Sequence, residues 1–155
     1  MRVWRLTRQR HASTAFEGIG SERVGGRWSP RGLRVVYTSE SIALCVLELL
    51  VHMEARQMHS SHVVIGVDIP DDVPGEEVAT NILPKNWESH PAPTELQASG
   101  RDWVERRQTA ILKVPSAVVP YEYNYILNPA HPDFRRLQIR SPQRFRFDTR
   151  LWKMG

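Results

Sequence analysis

The chain has a single cysteine, Cys45, among its 155 residues. One thiol cannot form a disulfide within the chain, which excludes a small secreted fold that is held together by disulfides. The first residues are basic and lack the apolar segment and the small-residue cleavage site of a secretory signal. Both absences predict a protein of the reducing cytoplasm.

Long hydrophobic runs are also missing. The longest apolar segment, residues 42–51, is interrupted by Glu48. A membrane-spanning helix needs roughly 20 predominantly apolar residues. The segment therefore predicts a core helix, and we expect no membrane partner.

Lysine is scarce, because it supplies 3 of the 21 basic residues and arginine supplies the other 18. The formal net charge is +4, which predicts an anionic ligand or partner and leaves nucleic acid, nucleotide and acidic protein open. The arginines suit bidentate recognition of phosphate or carboxylate. They are spread along the chain, so a coding bias is the favoured explanation of their number.

Short strand patterns dominate the chain, and two helices are mixed among them. The strand patterns cover residues 2–6, 34–38, 62–69, 110–119, 136–139 and 144–147. Helices are predicted at 42–52, with Ser39 or Ser41 as N-cap, and at 94–107, where Thr94-x-x-Gln97 matches a capping box. The Pro/Gly-rich interval 70–93 indicates a long loop. The pattern predicts the α+β class and one domain, residues 1–155.

Glu48 is the only charged residue of the apolar segment. Its helical neighbours are apolar or small on every side, which predicts a helix packed on all sides and a buried glutamate. A buried carboxylate has to be paired, hydrogen-bonded or protonated, because an unsatisfied charge is costly there. A solvent-facing position, a structural ion pair with an arginine and a functional carboxylate all remain open.

The segment before this helix contains groups that suit a nucleotide. Gly25 and Gly26 allow a tight turn or a close approach of the backbone to a ligand. Arg27 offers planar donors for phosphate, and Tyr37 ends a strand where the helix begins. A cation, an aromatic ring and a carboxylate, joined by a strand and the helix after it, are what a nucleotide-handling site needs.

Two long motifs resemble the RES-domain toxins of bacterial toxin–antitoxin systems. They are GIGSERVGGRWSPRGLRVVYTSESIALCVLELLVH at 18–52 and KVPSAVVPYEYNYILNPAHPDF at 113–134. The resemblance extends over nearly the whole chain. It implies a fold similar to ADP-ribosyltransferases, which is a single compact α+β domain with split mixed sheets around a cleft.

The same resemblance implies the residues of the site. The catalytic triad and the further substrate-binding positions of the family fall on Arg27, Tyr37, Glu48, Ser116 and either Asn124 or Asn128. Ser29 stands where related sequences often have asparagine. The chain is thus identified as an RES domain that departs from the family pattern at one position beside the triad.

The activity implied by the resemblance is destruction of NAD at the nicotinamide–ribose bond. NAD is then the substrate, with water as the acceptor in hydrolysis, inorganic phosphate as co-substrate in phosphorolysis, or a protein as the acceptor of ADP-ribose. The expected partner is a helix-turn-helix antitoxin. DNA binding is expected of that partner and not of this chain, and the family is also compatible with a homodimer.

Other functional classes compete with this interpretation. The tail RSPQRFRFDTR alternates arginine with phenylalanine. This pattern is compatible with a small nucleic-acid-binding module. It is equally typical of a strand with Phe145 and Phe147 turned inward, which is the interpretation we favour. A protein-interaction domain without catalysis is a third class. His52, His59 and His62 match no zinc spacing, so we expect no metal site.

Overall fold

Eight strands form the sheet around which the chain folds, as a computed structural model of residues 1–152 describes it. Numbered in chain order, they are β1 (Arg2–Arg8), β2 (Val36–Ser39), β3 (His62–Asp68), β4 (Gly75–Glu77), β5 (Ile111–Pro115), β6 (Tyr123–Leu127), β7 (Gln138–Ile139) and β8 (Gln143–Phe145). The order across the sheet is β4-β5-β6-β2-β1-β3-β7, and β8 also pairs with β3. Among the strands of the described residues only β4 and β5 run parallel, so the sheet is mixed.

Within residues 1–152, three α-helices connect the strands: α1 (Ile19–Val24), α2 (Ile42–Leu50) and α3 (Thr94–Arg106). Short 3-10 helices lie at Gln9–Thr14, Ala55–His59, Thr80–Ile82, Pro132–Arg136 and Thr149–Leu151. No helix within residues 1–152 has both the length and the apolar character needed to cross a membrane.

Side chains of the sheet alternate between two hydrophobic clusters. On β5, Ile111 belongs to the cluster that contains Val3 and Val67, while Leu112 belongs to the cluster that contains Trp28 and Trp103. Successive residues of a strand point to opposite faces, so both faces of this sheet are covered. The second face, covered in part by α3, is the one that carries the site described below.

The junction of β1 with β2 is the weakest pairing in the centre of the sheet. The two strands share one register pair, Trp4 with Ser39, whereas β1 pairs with β3 along its whole length. The sheet therefore divides into a part with β1, β3, β7 and β8 and a part with the other four strands. This confirms the predicted α+β domain with a split mixed sheet.

The prediction that α2 is packed on all sides is wrong. Leu47 is 41% exposed and Val51 is 57% exposed, because α2 lies against β1 and β2 from one side and its other side faces solvent. The predicted N-cap Ser41 is confirmed, since its hydroxyl accepts a hydrogen bond from the backbone N–H of Leu44.

Two further predictions fail for local reasons. The capping box at Thr94 does not form, because Pro93 occupies the N-cap position and Gln97 donates to the Gly26 carbonyl instead. The predicted strand at 110–119 ends at Pro115, and the strand β6 follows in a segment for which no strand was predicted. The Pro115 to Pro120 stretch forms the connection between them.

Gly100 provides a test of how α3 packs on the sheet. A Cβ added at this buried glycine would overlap the carbonyl oxygen of Trp28, so we expect Gly100→Ala to lower the free energy of unfolding by about 2–3 kcal/mol. Urea denaturation measures this change. The matched control is Ser99→Ala on the exposed side of the same helix, which should leave the free energy within about 0.5 kcal/mol of the original value. Equal stability of both variants would contradict the packing described here.

Candidate active site

The turn that carries Arg27 is built from two glycines with different tasks. Gly25 ends α1 with a φ of +70°, a backbone conformation that suits glycine. A Cβ on Gly26 would lie 2.6 Å from the hydroxyl oxygen of Tyr37. Gly26 is therefore required by a protein side chain packed against it. The sequence left a tight turn and a close approach to a ligand open for Gly25 and Gly26, and the structure shows the tight turn.

The Tyr37 hydroxyl holds this turn in place. It accepts a hydrogen bond from the Trp28 backbone N–H at 3.1 Å and lies 2.8 Å from Ser29 Oγ. Burial raises the pKa of Tyr37 to about 12, so the hydroxyl is protonated at neutral pH. Ser29, the residue that departs from the family pattern, is fully buried and serves as a partner of this hydroxyl.

Arg27 joins the turn to the long loop before α3. Its Nη1 donates to the backbone carbonyl oxygens of Trp87 at 2.7 Å and Ser89 at 3.0 Å. No carboxylate within residues 1–152 forms an ion pair with Arg27. The guanidinium is half-buried and keeps the donors on Nε and Nη2 for another acceptor. An unneutralised guanidinium of this kind is suited to an anion.

Glu48 is held through one of its two carboxylate oxygens. Oε1 accepts hydrogen bonds from Ser116 Oγ at 2.8 Å and from Asn124 Nδ2 at 2.6 Å. Within the described chain, Oε2 accepts no hydrogen bond and keeps contact with solvent. Glu48 is half-buried, so the burial that the helical pattern predicted is only partial. The carboxylate has a fixed direction and one free oxygen.

Ser116 can deliver its proton only toward the glutamate. Its Oγ accepts the backbone N–H groups of Val118 at 3.1 Å and Val119 at 3.0 Å. With both lone pairs of the oxygen occupied, the O–H points to Glu48. Ser116 thereby connects the β5–β6 loop to the carboxylate.

The structure separates the two asparagines that the sequence left as alternatives. The amide of Asn124 is oriented by Ser39, whose hydroxyl donates to Asn124 Oδ1 at 2.7 Å and so directs Nδ2 to Glu48. Asn128 is 2% exposed and its Oδ1 accepts the Ala130 N–H in the turn after β6. Asn124 contacts the carboxylate, and Asn128 closes a turn.

The predicted residues fall into two hydrogen-bonded groups on one face of the sheet. One group joins Arg27 to the loop and Tyr37 to the turn, and the other joins Glu48, Ser116 and Asn124. Tyr37 and Ser39 are two residues apart on β2, so their side chains point to the same face. Because Ser39 bonds Asn124, both groups lie on that face.

Sequence reasoning did not single out Arg5, which lies on β1 next to the strand that carries Tyr37. Its Nη1 crosses the split between β1 and β2 and donates to the Tyr37 carbonyl at 2.9 Å, and its Nε is buried without a partner within residues 1–152. Burial lowers the pKa of Arg5. The available signal was an arginine placed between the apolar residues Trp4 and Leu6 of a predicted strand.

Arg5 lines a cavity of about 330 Å³ beside the C-terminal end of α2. The other lining residues are Leu6, Thr7, Arg8, His11, Leu49, His52, Met53, Gln57 and His62. Among the described residues the lining has two arginines, three histidines and no carboxylate, so the cavity is suited to an anionic group. The described residues contain no group of three histidine, cysteine or acidic side chains with metal-site geometry.

Comparisons with known proteins agree with this architecture. The family model described as "RES domain" matches residues 2–148. The chain is 34% identical to the "Prs ADP-ribosylating toxin" of Sphingobium sp. strain YBL2, with 96% of this chain and 94% of that protein covered. It is 36% identical to the "Toxin Res" of Photorhabdus laumondii, with 99% and 98% covered.

A solved structure of the M. tuberculosis MbcT–MbcA toxin–antitoxin complex has a similar fold. The TM-score is 0.77 at 19% sequence identity, and the match covers 94% of this chain and 84% of that chain. At this identity the similarity concerns the fold alone.

Tyr37→Phe tests the role of the Tyr37 hydroxyl. Removal of the oxygen leaves the Trp28 N–H and the buried Ser29 hydroxyl without their partner, so we expect the free energy of unfolding to fall by about 1–3 kcal/mol. Urea denaturation checks this value. Tyr121→Phe, which removes the hydroxyl of a fully exposed tyrosine, should leave stability unchanged. A Tyr37→Phe variant as stable as this control would contradict the structural role.

Proposed function

The chain belongs to the RES domain family, and from that premise we propose that it is the toxin of a toxin–antitoxin system that cleaves NAD at the nicotinamide–ribose bond. One observation carries the proposal. The Glu48 carboxylate is fixed through Oε1 and leaves Oε2 free, on the same face of the sheet as the unneutralised Arg27.

The chemistry of the bond explains why one carboxylate suffices. Cleavage of a glycosidic bond passes through an oxocarbenium-like transition state, and an ordinary glycosidase uses two carboxylates, one of which protonates the leaving group. Nicotinamide leaves NAD as a neutral pyridine and requires no proton. In our proposal Oε2 of Glu48 accepts a hydrogen bond from a ribose hydroxyl and stabilises the positive charge that develops on the sugar.

Arg27 and Arg5 are the residues that we assign to the anionic part of NAD. Arg27 has free donors on Nε and Nη2, and Arg5 lines the carboxylate-free cavity beside α2. Fork-shaped guanidinium donors match the oxygens of a pyrophosphate. The Tyr37 hydroxyl is already hydrogen-bonded within the turn. We therefore assign the ring of Tyr37, and not its hydroxyl, to contact with the nicotinamide of the substrate.

The acceptor of ADP-ribose can be water, inorganic phosphate or a protein. Transfer to a protein is the second candidate function, and the name of the Sphingobium relative, an ADP-ribosylating toxin, favours it. Ser116 and Asn124 serve the same purpose in each case, because both orient the carboxylate.

The toxin assignment implies a neutralising antitoxin, as in the M. tuberculosis toxin–antitoxin complex. A helix-turn-helix antitoxin, a homodimer and a cytoplasmic location stay predictions. A nucleic-acid-binding role is less well supported, because Phe147 packs edge-to-face against His62 and against Phe145, with ring centroids 4.9 and 5.2 Å apart. Rings packed in this way have little surface for stacking on bases.

Glu48→Gln is the most direct test of the proposed reaction. The variant keeps an oxygen for Ser116 and Asn124 but loses the charge, so we expect the rate of NAD cleavage to fall by about 10²–10³-fold, with the folded state retained. Release of nicotinamide measures the rate, and circular dichroism checks the fold. Glu105→Gln, an exposed glutamate of α3, is the matched control. A folded Glu48→Gln variant with the original rate would refute the assignment.

Arg27→Ala tests the binding of the anion. Loss of the charge-assisted hydrogen bonds should raise KM for NAD by about ten- to a hundredfold. Arg23→Ala, an exposed arginine at the end of α1, should leave KM unchanged. An unchanged KM in the Arg27 variant would remove this residue from the phosphate role.

Product analysis identifies the acceptor. Purified protein is incubated with NAD in buffers with and without phosphate. ADP-ribose is the product of hydrolysis, ADP-ribose 1″-phosphate that of phosphorolysis, and label on protein that of transfer. Absence of all three products would contradict the proposed function.

A further inference from the structure

An arginine with an unsatisfied donor lines the cavity beside α2. Arg5 donates from Nη1 to the Tyr37 carbonyl at 2.9 Å, and its Nε is buried without a partner within residues 1–152. A buried N–H that forms no hydrogen bond costs free energy, so its presence in a fold calls for an explanation. Nη2 also bonds none of the described residues, but it keeps contact with solvent. The fold thus retains a guanidinium whose outer donor is available at the cavity.

His62 supplies the cavity with a hydrogen-bond acceptor. The residue is 2% exposed, and its Nδ1 lies 2.7 Å from the Ser60 carbonyl oxygen. Because a carbonyl can only accept, Nδ1 carries the hydrogen and Nε2 keeps a lone pair. Nε2 bonds none of the described residues and is not sealed from solvent, and the ring lines the cavity. Burial lowers the pKa of His62, so the ring is a neutral acceptor at pH 7.

The positive charge at the cavity is not neutralised by the protein. Arg8, which is half-buried, is the second arginine of the lining. Within residues 1–152, neither Arg5 nor Arg8 forms an ion pair, and no carboxylate lines the cavity. Besides His62, the other ionisable side chains of the lining are His11 and His52, and both are exposed. Two uncompensated guanidinium groups favour a ligand with more than one negative charge.

His52 connects the cavity to the groups around Glu48. It follows Glu48 by four residues, at the turn that ends α2, and this spacing makes side chains neighbours on a helical surface. The ring of His52 also lies 6.1 Å from the ring of His90, measured between centroids. His90 follows Ser89, whose carbonyl accepts a hydrogen bond from Arg27. The cavity is therefore adjacent to both hydrogen-bonded groups of the candidate active site.

The ligand has to offer oxygens to the arginines and a hydrogen to His62. A phosphomonoester does both, because its second pKa is roughly 6 and a fraction of the groups keeps an O–H near neutral pH. The pyrophosphate oxygens of NAD carry no hydrogen, so they meet only the first requirement. The cavity volume of about 330 Å³ is at the lower end of the range for small-molecule sites, roughly 300–1,000 Å³. It is suited to one part of a dinucleotide.

We propose that the cavity binds the phosphomonoester of a 2′-phosphorylated dinucleotide, so that the chain cleaves NADP in preference to NAD. The inference rests on the proposed cleavage of the nicotinamide–ribose bond and specifies its substrate. Dinucleotide sites that select NAD commonly direct a carboxylate at the ribose 2′-hydroxyl, whereas those that select NADP use an arginine for the 2′-phosphate. The cavity has the second composition. Arg8 supplies the additional cation, Arg5 is shared with the pyrophosphate, and His62 accepts the phosphate O–H.

The bond changes are those proposed for NAD. The bond from C1 of the ribose to the nicotinamide nitrogen breaks, and its electron pair leaves with nicotinamide. With water as the acceptor, a water oxygen bonds C1 and releases a proton to solvent, so the products are nicotinamide and 2′-phospho-ADP-ribose. The 2′-phosphate lies on the other ribose and takes no part in these changes. Its contribution is binding, which is expressed chiefly in KM.

Initial rates of nicotinamide release test the preference. Wild-type protein is assayed with NAD and with NADP in phosphate-free buffer, and kcat/KM for NADP should exceed that for NAD at least tenfold. In Arg8→Gln we expect the ratio of the two kcat/KM values to fall at least tenfold, chiefly through a higher KM for NADP. Arg10→Gln, at an exposed arginine that does not line the cavity, is the matched control and should keep the wild-type ratio. Melting temperatures check that each variant is folded.

Calorimetry on Glu48→Gln separates binding from cleavage. This variant should turn over slowly, so Kd can be measured directly for both dinucleotides. We expect Kd for NADP to be at least tenfold lower than Kd for NAD. Introduction of Arg8→Gln into the same variant should remove most of this difference.

The outcomes distinguish the phosphate site from the cleavage reaction. Equal kcat/KM and Kd values for the two dinucleotides, or a ratio that Arg8→Gln leaves unchanged, would overturn the phosphate site and leave the cleavage of NAD intact. Faster cleavage of NAD on addition of inorganic phosphate, without a preference for NADP, would assign the cavity to free phosphate and overturn the proposal as well. Wild-type protein that releases nicotinamide from neither dinucleotide would refute the proposed function, and calorimetry would still decide whether the cavity binds NADP.

Discussion

The hydrogen bonds to one oxygen of Glu48 are the interaction on which the site depends. They bring together the glutamate of α2, Ser116 directly after β5 and Asn124 of β6. A half-buried carboxylate that is bonded on one side has a single direction and one reactive oxygen. In the sheet, β6 lies between β5 and β2. Asn124 on β6, Ser116 after β5 and the helix α2 that follows β2 therefore meet above the same face.

The sequence predicted the fold class and the members of this arrangement that local pattern or family motif makes visible. A lone charge in an apolar helix drew attention to Glu48, and two motifs indicated Ser116 and the GGRW turn. The burial of Glu48 is less complete than the pattern predicted, because a helical pattern cannot tell a helix packed on all sides from one that leaves apolar residues such as Leu47 exposed.

Contacts between distant segments could not be predicted. The hydroxyl of Ser39 bonds a residue 85 positions away, and Arg5 bonds a carbonyl 32 positions away; no local period encodes either contact. The choice between Asn124 and Asn128 likewise required the register of β6, in which Asn124 pairs with Ser39. Spacing along the chain indicates which residue types are present, whereas register decides which of them meet.

The single pair that joins β1 to β2 also bears on how such a protein diverges. The two residues that bond the carboxylate, Ser116 and Asn124, belong to the half of the sheet with β2, β4, β5 and β6, whereas β1, β3, β7 and β8 form the other half. Substitutions that shift the second half move few backbone bonds of the first. Selection can therefore remodel the outer strands β7 and β8 while the hydrogen bonds of Glu48 to Ser116 and Asn124 are kept.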